Sequence, residues 1–366
     1  MALEIASPAR QPEPWVAQLL QAVVAARASD LHLRVGSPPY LRVDGLLART
    51  NAAALTVQSI ETVLAQTADR RPPPNQLAWE YSCEIPGVGR FRCHAFREDG
   101  RLALTMRVVP QRVPTFAELR LPPLVKTLAD GSPGLVLITG PTGSGKSTTA
   151  AAILQYLTTQ ETRHLVTLED PIEHRIADVP SCVSQREVGR DCTSFSDGLR
   201  AMLREDPDVL FISEIRDMEA LEAGLQAAEA GHLVVSTFHT ASVLKTIQRI
   251  VAMFPSEEQA AARARLADVL RGVLSQRLLP RKGTRGRILC VESMLNNYAI
   301  KECIRDAGRV ASIQATLERS GDQQMQSFDQ CLVGLVREGL VAADVALAHA
   351  HAPTELRRLL SFPGLT

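Results

Sequence analysis

The segment GPTGSGKS at residues 140–147 constrains the fold of this chain more than any other feature of its sequence. It fits the pattern G-x-x-x-x-G-K-[ST], follows the apolar run GLVLIT and precedes residues that favour a helix. Glycines allow backbone N–H groups to curl around phosphate oxygens, and the N-terminus of the following helix adds positive potential. The segment therefore predicts a phosphate-binding loop between a strand and a helix.

The sequence around this loop alternates between apolar strands and helices, which is typical of a parallel sheet covered by helices. The predicted strands are GLVLIT, HLVTLE, VLFISE and HLVVSTFH, and the predicted helices span 147–158, 195–205 and 218–230. After about residue 241 the pattern is mostly helical, with one further strand at RILCVES and a small helical region over 300–360. These patterns predict the α/β fold class.

The sequence pattern of residues 1–109 predicts a smaller domain that contains both helix and strands. Apolar residues at helical spacing between Trp15 and Val24 precede several runs that alternate at strand period. Asp44-Gly45 and Asp99-Gly100 separate such runs, and the second pair is a strong hairpin signal.

The predicted boundary between the domains is a linker at 110–118, which contains two prolines. Within it, Thr115-x-x-Glu118 has the form of a capping box and predicts a helix start. The larger α/β domain is predicted at 119–295 and a C-terminal helical region at 296–366.

Composition excludes several classes of protein. The chain has 366 residues, 45% of them apolar and 22% charged, as expected for a globular protein with proper cores. Forty basic residues balance forty acidic ones and only 4% are aromatic, so we expect no nucleic-acid partner. Seven cysteines form no C-x-x-C pair, which argues against a zinc ribbon and a disulfide framework. No stretch of about 18 uncharged apolar residues occurs, so we expect no membrane span.

Polar groups follow the predicted parallel strands where each strand ends. The second, third and fourth strands finish in Glu169-Asp170, Glu214 and His239, and the first runs into the phosphate loop. Ligands of open parallel sheets bind beyond the carboxyl ends of the strands, so these groups are predicted to surround one site. Their chemistry suits Mg²⁺, water and phosphate.

Each of these groups has a predicted role in ATP hydrolysis. Glu214 is the candidate to orient and activate the attacking water, and Glu169 is a candidate to bind Mg²⁺ or share that task. His239 is placed to sense the γ-phosphate. His232, seven residues earlier on the same strand, spans too far to touch that phosphate and is interpreted as a structural or interface residue.

The loop itself is predicted to bind ATP, with Lys146 on the β and γ phosphates and the Ser147 hydroxyl on Mg²⁺. The predicted nucleotide-binding residues are Gly140, Pro141, Thr142, Gly143, Ser144, Gly145, Lys146, Ser147 and Thr148. Lys146 is the one obvious local cation in the sequence, so an arginine from elsewhere is expected to stabilise the transition state. Candidates are Arg90, Arg92 and Arg107, for which spacing alone also allows a solvated sheet face.

Seven segments make the chain similar to the secretion ATPase superfamily, and within it to the type IV pilus retraction ATPases of the PilT/PilU type. They are ASDLHLRVGSPPYLRVDG, IPGVGRFRCHAF, GLVLITGPTGSGKSTTAA, TLEDPIEH (the Asp box), LREDPDVLFISEIRD (Walker B), GHLVVSTFHT (the His box) and MQSFDQCL. The resemblance implies a PAS-like N-terminal domain, a RecA-like core and a homo-hexameric ring with nucleotide between the domains. It also implies that Arg92 and Arg107 reach the nucleotide.

The same resemblance implies a cytoplasmic motor, peripheral at the cytoplasmic face of the inner membrane. The motor would act on a pilus platform protein, with a second pilus ATPase as a further partner. Two departures from the retraction pattern bear on this expectation. Ser213 stands where glycine is usual, and AIKECIRDAGR (299–309) replaces the signature AIRNLIREGK. An accessory retraction ATPase therefore stays open as an alternative.

Three further interpretations compete with a retraction motor. A pilus-assembly or type II secretion ATPase commonly has an extra N-terminal domain and a tetracysteine insertion, and the sequence shows neither. A non-hydrolysing regulatory subunit is disfavoured by four intact motif residues, Lys146, Glu169, Glu214 and His239. A nucleic-acid motor ranks last because of the balanced charge and few aromatic residues.

Overall fold

The structure is a computed structural model that describes residues 13–43, 45–68, 77–109, 112–178 and 180–361. The chain divides into two compact units, Met1–Arg112 and Val113–Thr366. The predicted turn residue Asp44 and the first two linker residues, 110 and 111, lie outside the described part of the chain. Within the described part, no helix combines the length and the apolar character needed to cross a membrane.

The first unit is an antiparallel sheet with two helices. The sheet order is β3-β2-β1-β6-β5-β4. Its strands are β1 (Asp30–Leu33), β2 (Tyr40–Val43), β3 (Leu46–Arg49), β4 (Ala78–Ile85), β5 (Gly89–Glu98) and β6 (Arg101–Val109). Its helices are α1 (Pro14–Ala25) and α2 (Val57–Thr67).

Alternation along β5 and β6 buries one face of this sheet and leaves the other polar. Phe91 and Met106 are fully buried in a core that they share with Leu20 of α1 and Ile60 of α2. The predicted hairpin turn at Asp99-Gly100 is confirmed: φ is 49° at Asp99 and 71° at Gly100. Positive φ at both central residues is what a two-residue hairpin turn of this kind requires.

The second unit is a mixed sheet covered by helices. The sheet order is β13-β12-β7-β11-β10-β8-β9. Its strands are β7 (Gly134–Thr139), β8 (His164–Glu169), β9 (Cys182–Glu187), β10 (Val209–Ile212), β11 (Leu233–Phe238), β12 (Leu270–Pro280) and β13 (Arg287–Leu295). All its neighbouring strands run parallel except β12 and β13.

The helices of this unit cover the sheet and continue into the C-terminal part of the chain. They are α3 (Leu124–Leu128), α4 (Lys146–Gln160), α5 (Phe195–Met202), α6 (Met218–Glu229), α7 (Val243–Ala252), α8 (Gln259–Val269), α9 (Tyr298–Arg305), α10 (Ile313–Arg319), α11 (Phe328–Arg337), α12 (Ala343–His349) and α13 (Pro353–Ser361). Short 3₁₀ turns at Val310–Ser312 and Gly321–Gln323 flank α10. A separate apolar cluster, which includes Leu279, Ile288 and Leu332, joins α11 to the β12–β13 hairpin.

The predicted α/β class is confirmed, and the chain after residue 241 is mostly helical as expected, with β13 at the predicted strand RILCVES. In that part of the chain, strand β12 is the element that the sequence pattern did not predict. Helix α8 passes directly into β12, where Leu270 takes extended angles of φ −64° and ψ 127°. The apolar pattern runs on through this junction without a turn signal, so periodicity alone does not separate helix from strand. Gly272 allows β12 to lie close to β13, because an added Cβ would be 2.4 Å from the Met294 carbonyl oxygen.

The capping box in the linker forms, but it does not start a helix. The Thr115 N–H donates to Glu118 Oε2 at 2.8 Å, and the Glu118 N–H donates to Thr115 Oγ1 at 3.3 Å. Residues 116–120 form a turn, and α3 begins only at Leu124. Pro122 and Pro123 follow the turn and cannot donate the backbone hydrogen bonds that would continue it as a helix.

Glu292 on β13 is a buried acid that makes stability depend on pH. Its Oε2 accepts from the Val243 N–H at 2.6 Å, and burial raises its pKa from 4.5 to about 7. Between these two values the folded chain binds more protons than the unfolded chain. The free energy of unfolding therefore falls as pH rises from about 4.5 to 7, at about 1.4 kcal/mol for each unit of pKa difference.

Glu292→Gln is expected to remove this slope, because the amide can still accept from Val243 and carries no charge. The variant should gain up to about 3 kcal/mol in free energy of unfolding at pH 8 and change little at pH 5. Urea unfolding at both pH values measures this, with the exposed Glu257→Gln as the control. An equal gain at both pH values would show that ionisation of Glu292 is not the cause.

Candidate active site

The loop between β7 and α4 has the backbone geometry of a phosphate cradle. Gly140 has φ 148°, and a Cβ there would lie 2.5 Å from the Gln276 carbonyl oxygen, so only glycine fits. Gly143, at φ 77°, faces open space instead. The Ser144 hydroxyl is buried and has no hydrogen-bond partner among the described residues. The predicted strand, loop and helix are thus present in the predicted order.

Lys146 is the first residue of α4 and is nearly buried. Its Nζ donates to the carbonyl oxygens of Gly140 at 3.0 Å and Pro141 at 3.1 Å. Burial lowers the pKa of Lys146, while the nearby carboxylates of Glu214 and Glu173 act to raise it. Ser147 and Thr148 follow in the same first turn and are half-buried. The loop therefore places an ammonium group between its own carbonyl oxygens and two acids.

The carboxyl ends of β8, β10 and β11 lie side by side, as predicted. Ile212 near the end of β10 pairs with Leu168 of β8 and with Ser236 of β11. Glu214 and His239 follow their strands as loop residues, since β10 ends at Ile212 and β11 at Phe238.

Glu214 and His239 touch each other at this edge. His239 Nε2 lies 3.1 Å from Glu214 Oε1. Backbone contacts support Glu214 on both sides: the Ser213 N–H donates to the Leu168 carbonyl at 3.0 Å and the Ile215 N–H to the Thr237 carbonyl at 3.0 Å. Ser213, the residue that replaces a glycine of the motif, thus contributes its backbone to the strand edge.

Glu169 is buried at the end of β8. Its Oε1 accepts from Thr167 Oγ1 at 2.7 Å and from Gln185 Nε2 at 2.9 Å, and burial raises its pKa to about 7. Thr167 lies two residues earlier on β8, so both side chains leave the strand on the same face. The neighbouring Asp170 is half-exposed and lies within 3.5 Å of Arg216 instead. The two acids of the Glu169-Asp170 pair therefore have different surroundings.

The expectation that Lys146 is the one obvious cation at the site is wrong. Arg216 Nε lies 2.9 Å from Glu214 Oε2, and its Nη1 lies 3.5 Å from Asp170 Oδ2. At the phosphate loop, Arg287 Nη1 donates to the Gly143 carbonyl oxygen at 3.4 Å. The position of Arg216 two residues after Glu214 was the signal in the sequence. For Arg287, the signal that could have predicted a cation here is the basic stretch RKGTRGR (281–287).

Glu173 is a second residue that the sequence did not single out. It is half-buried, and its charge acts on both Lys146 and Glu169. It lies within TLEDPIEH, the segment that also supplies Glu169, so the motif itself contained the signal. The part of the site that faces Lys146 therefore includes Glu173 as well as Glu214.

In the first unit, Arg92 and Arg107 occupy paired positions on β5 and β6, so they share one face of the sheet. Arg92 Nη2 lies 2.8 Å from Glu80 Oε2, and Arg107 Nε lies 2.8 Å from Asp30 Oδ1. The third candidate, Arg90, is buried and donates to Ser82 Oγ at 2.9 Å. Arg92 and Arg107 therefore form a basic pair on the polar face, whereas Arg90 is held inside.

His232 lies just before β11, at the opposite end of that strand from His239. Its carbonyl accepts from the Gly134 N–H at 3.0 Å, where β7 begins. A strand of six residues spans about 20 Å, so His232 and His239 cannot share a ligand. This position agrees with the interpretation of His232 as a residue outside the site.

Comparison with known proteins shows which family the chain is similar to. The family model described as type II/IV secretion system protein matches residues 10–335. The chain is 41% identical over 341 residues to the type IV pilus retraction ATPase PilT of Pseudomonas aeruginosa, covering 92% of this chain and 98% of that protein. It is 34% identical to the type IV pilus ATPase PilU of the same organism, covering 94% and 90%.

Solved structures give the same picture. The crystal structure of the pilus retraction motor PilT with bound ADP superposes with a TM-score of 0.87 at 37% identity, covering 93% of this chain and 98% of that one. The Legionella pneumophila ATPase DotB superposes with a TM-score of 0.78 at 28% identity, covering 94% and 98%. These likenesses confirm the predicted fold class, a RecA-like core with a smaller α+β domain. The chain therefore belongs to the type II/IV secretion system protein family, and within it to the ATPases of the PilT and PilU type.

Proposed function

We propose that the chain is a motor that hydrolyses ATP to drive retraction of type IV pili. The observation that carries the hydrolytic part is the contact between Glu214 and His239 at the same sheet edge as the phosphate loop. A lysine ammonium group to bind the phosphates and a carboxylate to position the attacking water, here contacted by an imidazole, suit phosphoryl transfer to water. The retraction part is supported by the similarity to PilT over nearly the whole of both chains.

Each side chain has one task in this proposal. The loop residues 140–148 wrap the phosphates of ATP, and Lys146 offsets the negative charge of the β and γ phosphates. Glu214 accepts a proton from the attacking water, and His239, which holds its second oxygen, responds to the γ-phosphate. Glu169, the last residue of β8, helps Glu214 to orient the attacking water.

Magnesium fits the oxygen donors of this site. The Ser147 hydroxyl at the start of α4 and the Glu169 carboxyl at the end of β8 are hard oxygen ligands of the kind that Mg²⁺ prefers beside substrate phosphates. We assign these two residues as the ones that would hold the ion, which when bound would neutralise charge on the phosphates. The Glu169 carboxyl would bind it as the carboxylate, so binding would release any proton that Glu169 holds near neutral pH.

The proposed assembly is a homo-hexamer in which Arg92 and Arg107 of one subunit serve the site of its neighbour. Support comes from their shared place on the polar face of the first unit, where Arg107 keeps 64% of its side chain exposed. An arginine supplied in trans stabilises transition-state charge and couples hydrolysis to motion between subunits. The proposed partners are a pilus platform protein of the inner membrane and a second pilus ATPase, with the ring in the cytoplasm at the membrane face.

An accessory role is the second candidate, and one observation favours it. Helix α9, the counterpart of the retraction signature helix, buries Ile300, Cys303 and Ile304. Cysteine at 303 replaces the larger leucine of the AIRNLIREGK signature, and Lys301 and Glu302 replace its arginine and asparagine. The two isoleucines of the buried face are kept, but the buried position 303 and the half-buried positions 301 and 302 are altered. A change in the partner of α9 would be expressed at these altered positions.

Deletion of the gene in its source organism is expected to produce excess surface pili that do not retract. Fibres accumulate when pilins are no longer removed from their base. Electron microscopy counts the pili, and re-expression of the wild-type chain should restore the normal count. Loss of pili after deletion would instead indicate an assembly motor. Repeating the count in a strain that lacks any second retraction ATPase separates an autonomous motor, which still retracts pili alone, from an accessory one.

A further inference from the structure

We propose that Arg216 is a positioning residue for ATP hydrolysis, which holds the Glu214 carboxylate in place and ties it to the end of the neighbouring strand. The inference rests on the proposed function, because it assigns how the water-activating group of that reaction is oriented. The residue acts through Glu214 and is not itself assigned a contact with the nucleotide.

The backbone alone does not orient the Glu214 side chain. Strand β10 ends at Ile212, so Glu214 lies in the segment between the strand and α6. Hydrogen bonds of Ser213 and Ile215 to the adjacent strands fix the main chain on either side. These main-chain bonds do not involve the Glu214 carboxylate, whose two oxygens are contacted by side chains instead.

Arg216 and His239 provide those contacts, one to each oxygen. Arg216 Nε lies 2.9 Å from Oε2, and His239 Nε2 lies 3.1 Å from Oε1. Glu214 is only 22% exposed, so both contacts are partly shielded from water. A carboxylate held at both oxygens has one orientation, and loss of either partner would allow it to rotate.

Arg216 also reaches across to β8. Its Nη1 lies 3.5 Å from Asp170 Oδ2, so one guanidinium spans the residues that follow β8 and β10. The planar fork of an arginine can make two such contacts in fixed directions, whereas a lysine ammonium on a flexible stem cannot. Hydrogen bonding to Glu214 raises the pKa of Arg216, in keeping with a charged guanidinium at this position.

The main chain of Arg216 is itself held in place. The next residue, Asp217, is the N-cap of α6, and its Oδ1 accepts from the Ala220 N–H at 2.9 Å. Arg216 thus lies between a segment bound to the sheet and a capped helix. Short, fixed connections on both sides are what a residue needs in order to position another side chain within a fraction of an ångström.

Arg216→Ala is expected to lower kcat for ATP about 10- to 100-fold while KM and nucleotide affinity stay within about 2-fold, since misplacing a catalytic group by about 1 Å costs a rate of this order. Arg216→Lys should keep most of the defect, because it restores the charge without the fork. Asp170→Asn should lower kcat less, in the same direction. Phosphate release measures kcat and KM, and a fluorescent ADP analogue measures affinity. The exposed Arg249→Ala is the matched control.

Three results would overturn the inference. Full kcat in Arg216→Ala would show that Glu214 needs no such support. A raised KM at normal kcat would show that Arg216 binds nucleotide. Wild-type kcat in Arg216→Lys would show that charge alone suffices, and this variant keeps the test valid if the alanine variant fails to fold. If the wild-type chain itself does not hydrolyse ATP, the proposed function fails, which distinguishes that failure from this one.

Discussion

Lys146→Ala is expected to weaken ATP binding about 10- to 100-fold, because hydrogen bonds to a charged group contribute about 1.5–3 kcal/mol and each 1.4 kcal/mol is a factor of ten. The ammonium group now donates to the Gly140 and Pro141 carbonyl oxygens at the mouth of the loop. Lys146 is buried, and this burial lowers its pKa. A cation that the fold already holds in place needs little reorganisation when the phosphates bind.

Titration with a fluorescent ATP analogue measures this effect, and phosphate release measures the accompanying loss of turnover. Lys126→Ala is the matched control, because Lys126 is an exposed lysine of α3. Near wild-type affinity in Lys146→Ala would contradict the assignment of residues 140–148 as the nucleotide-binding loop.

The local elements of the site could be predicted from the sequence because their signals are local. The loop pattern, the apolar strand before it and the helix after it occupy consecutive residues, and all three lie where they were expected. The same holds for Glu214 and His239, since parallel strands place their carboxyl ends at one edge whatever their order. That rule predicted a shared edge, but their contact at 3.1 Å also depends on β10 lying beside β11.

Contacts that depend on strand order could not be predicted. Arg216 meets Asp170 because β10 lies beside β8 in the sheet, and nothing in a single sequence states which strands are neighbours. The insertion of β12 beside β7 has the same cause. The sequence alone does not show whether an arginine two residues after a glutamate contacts that glutamate or faces solvent.

The burial of the Glu169 side chain is a third example. At the end of a strand, sequence periodicity does not decide whether a carboxyl is buried or exposed. Strand β9 decides it, because Gln185 on that strand donates to Glu169 from the adjacent edge of the sheet. The surroundings of the buried Glu169 and the half-exposed Asp170 thus differ because of β9, a strand that the sequence pattern did not predict.

Glu214→Gln is expected to lower kcat by about 10²- to 10⁴-fold, the usual contribution of a general base. Glutamine keeps the size of the side chain and an oxygen that can accept from Arg216, but it cannot take a proton from water. Nucleotide binding should be retained, because the loop residues and Lys146 are unchanged. The substitution thus separates hydrolysis from binding, which Lys146→Ala does not.

The rate of phosphate release from ATP by the purified chain in Mg²⁺, compared between wild type and Glu214→Gln, decides whether the chain hydrolyses ATP with Glu214 as its general base. Glu257→Gln, an exposed glutamate outside the site, is the control and should match wild type. We expect steady turnover by the wild type and a loss of at least about 100-fold in Glu214→Gln with ATP still bound. Equal rates in the two proteins would contradict this expectation.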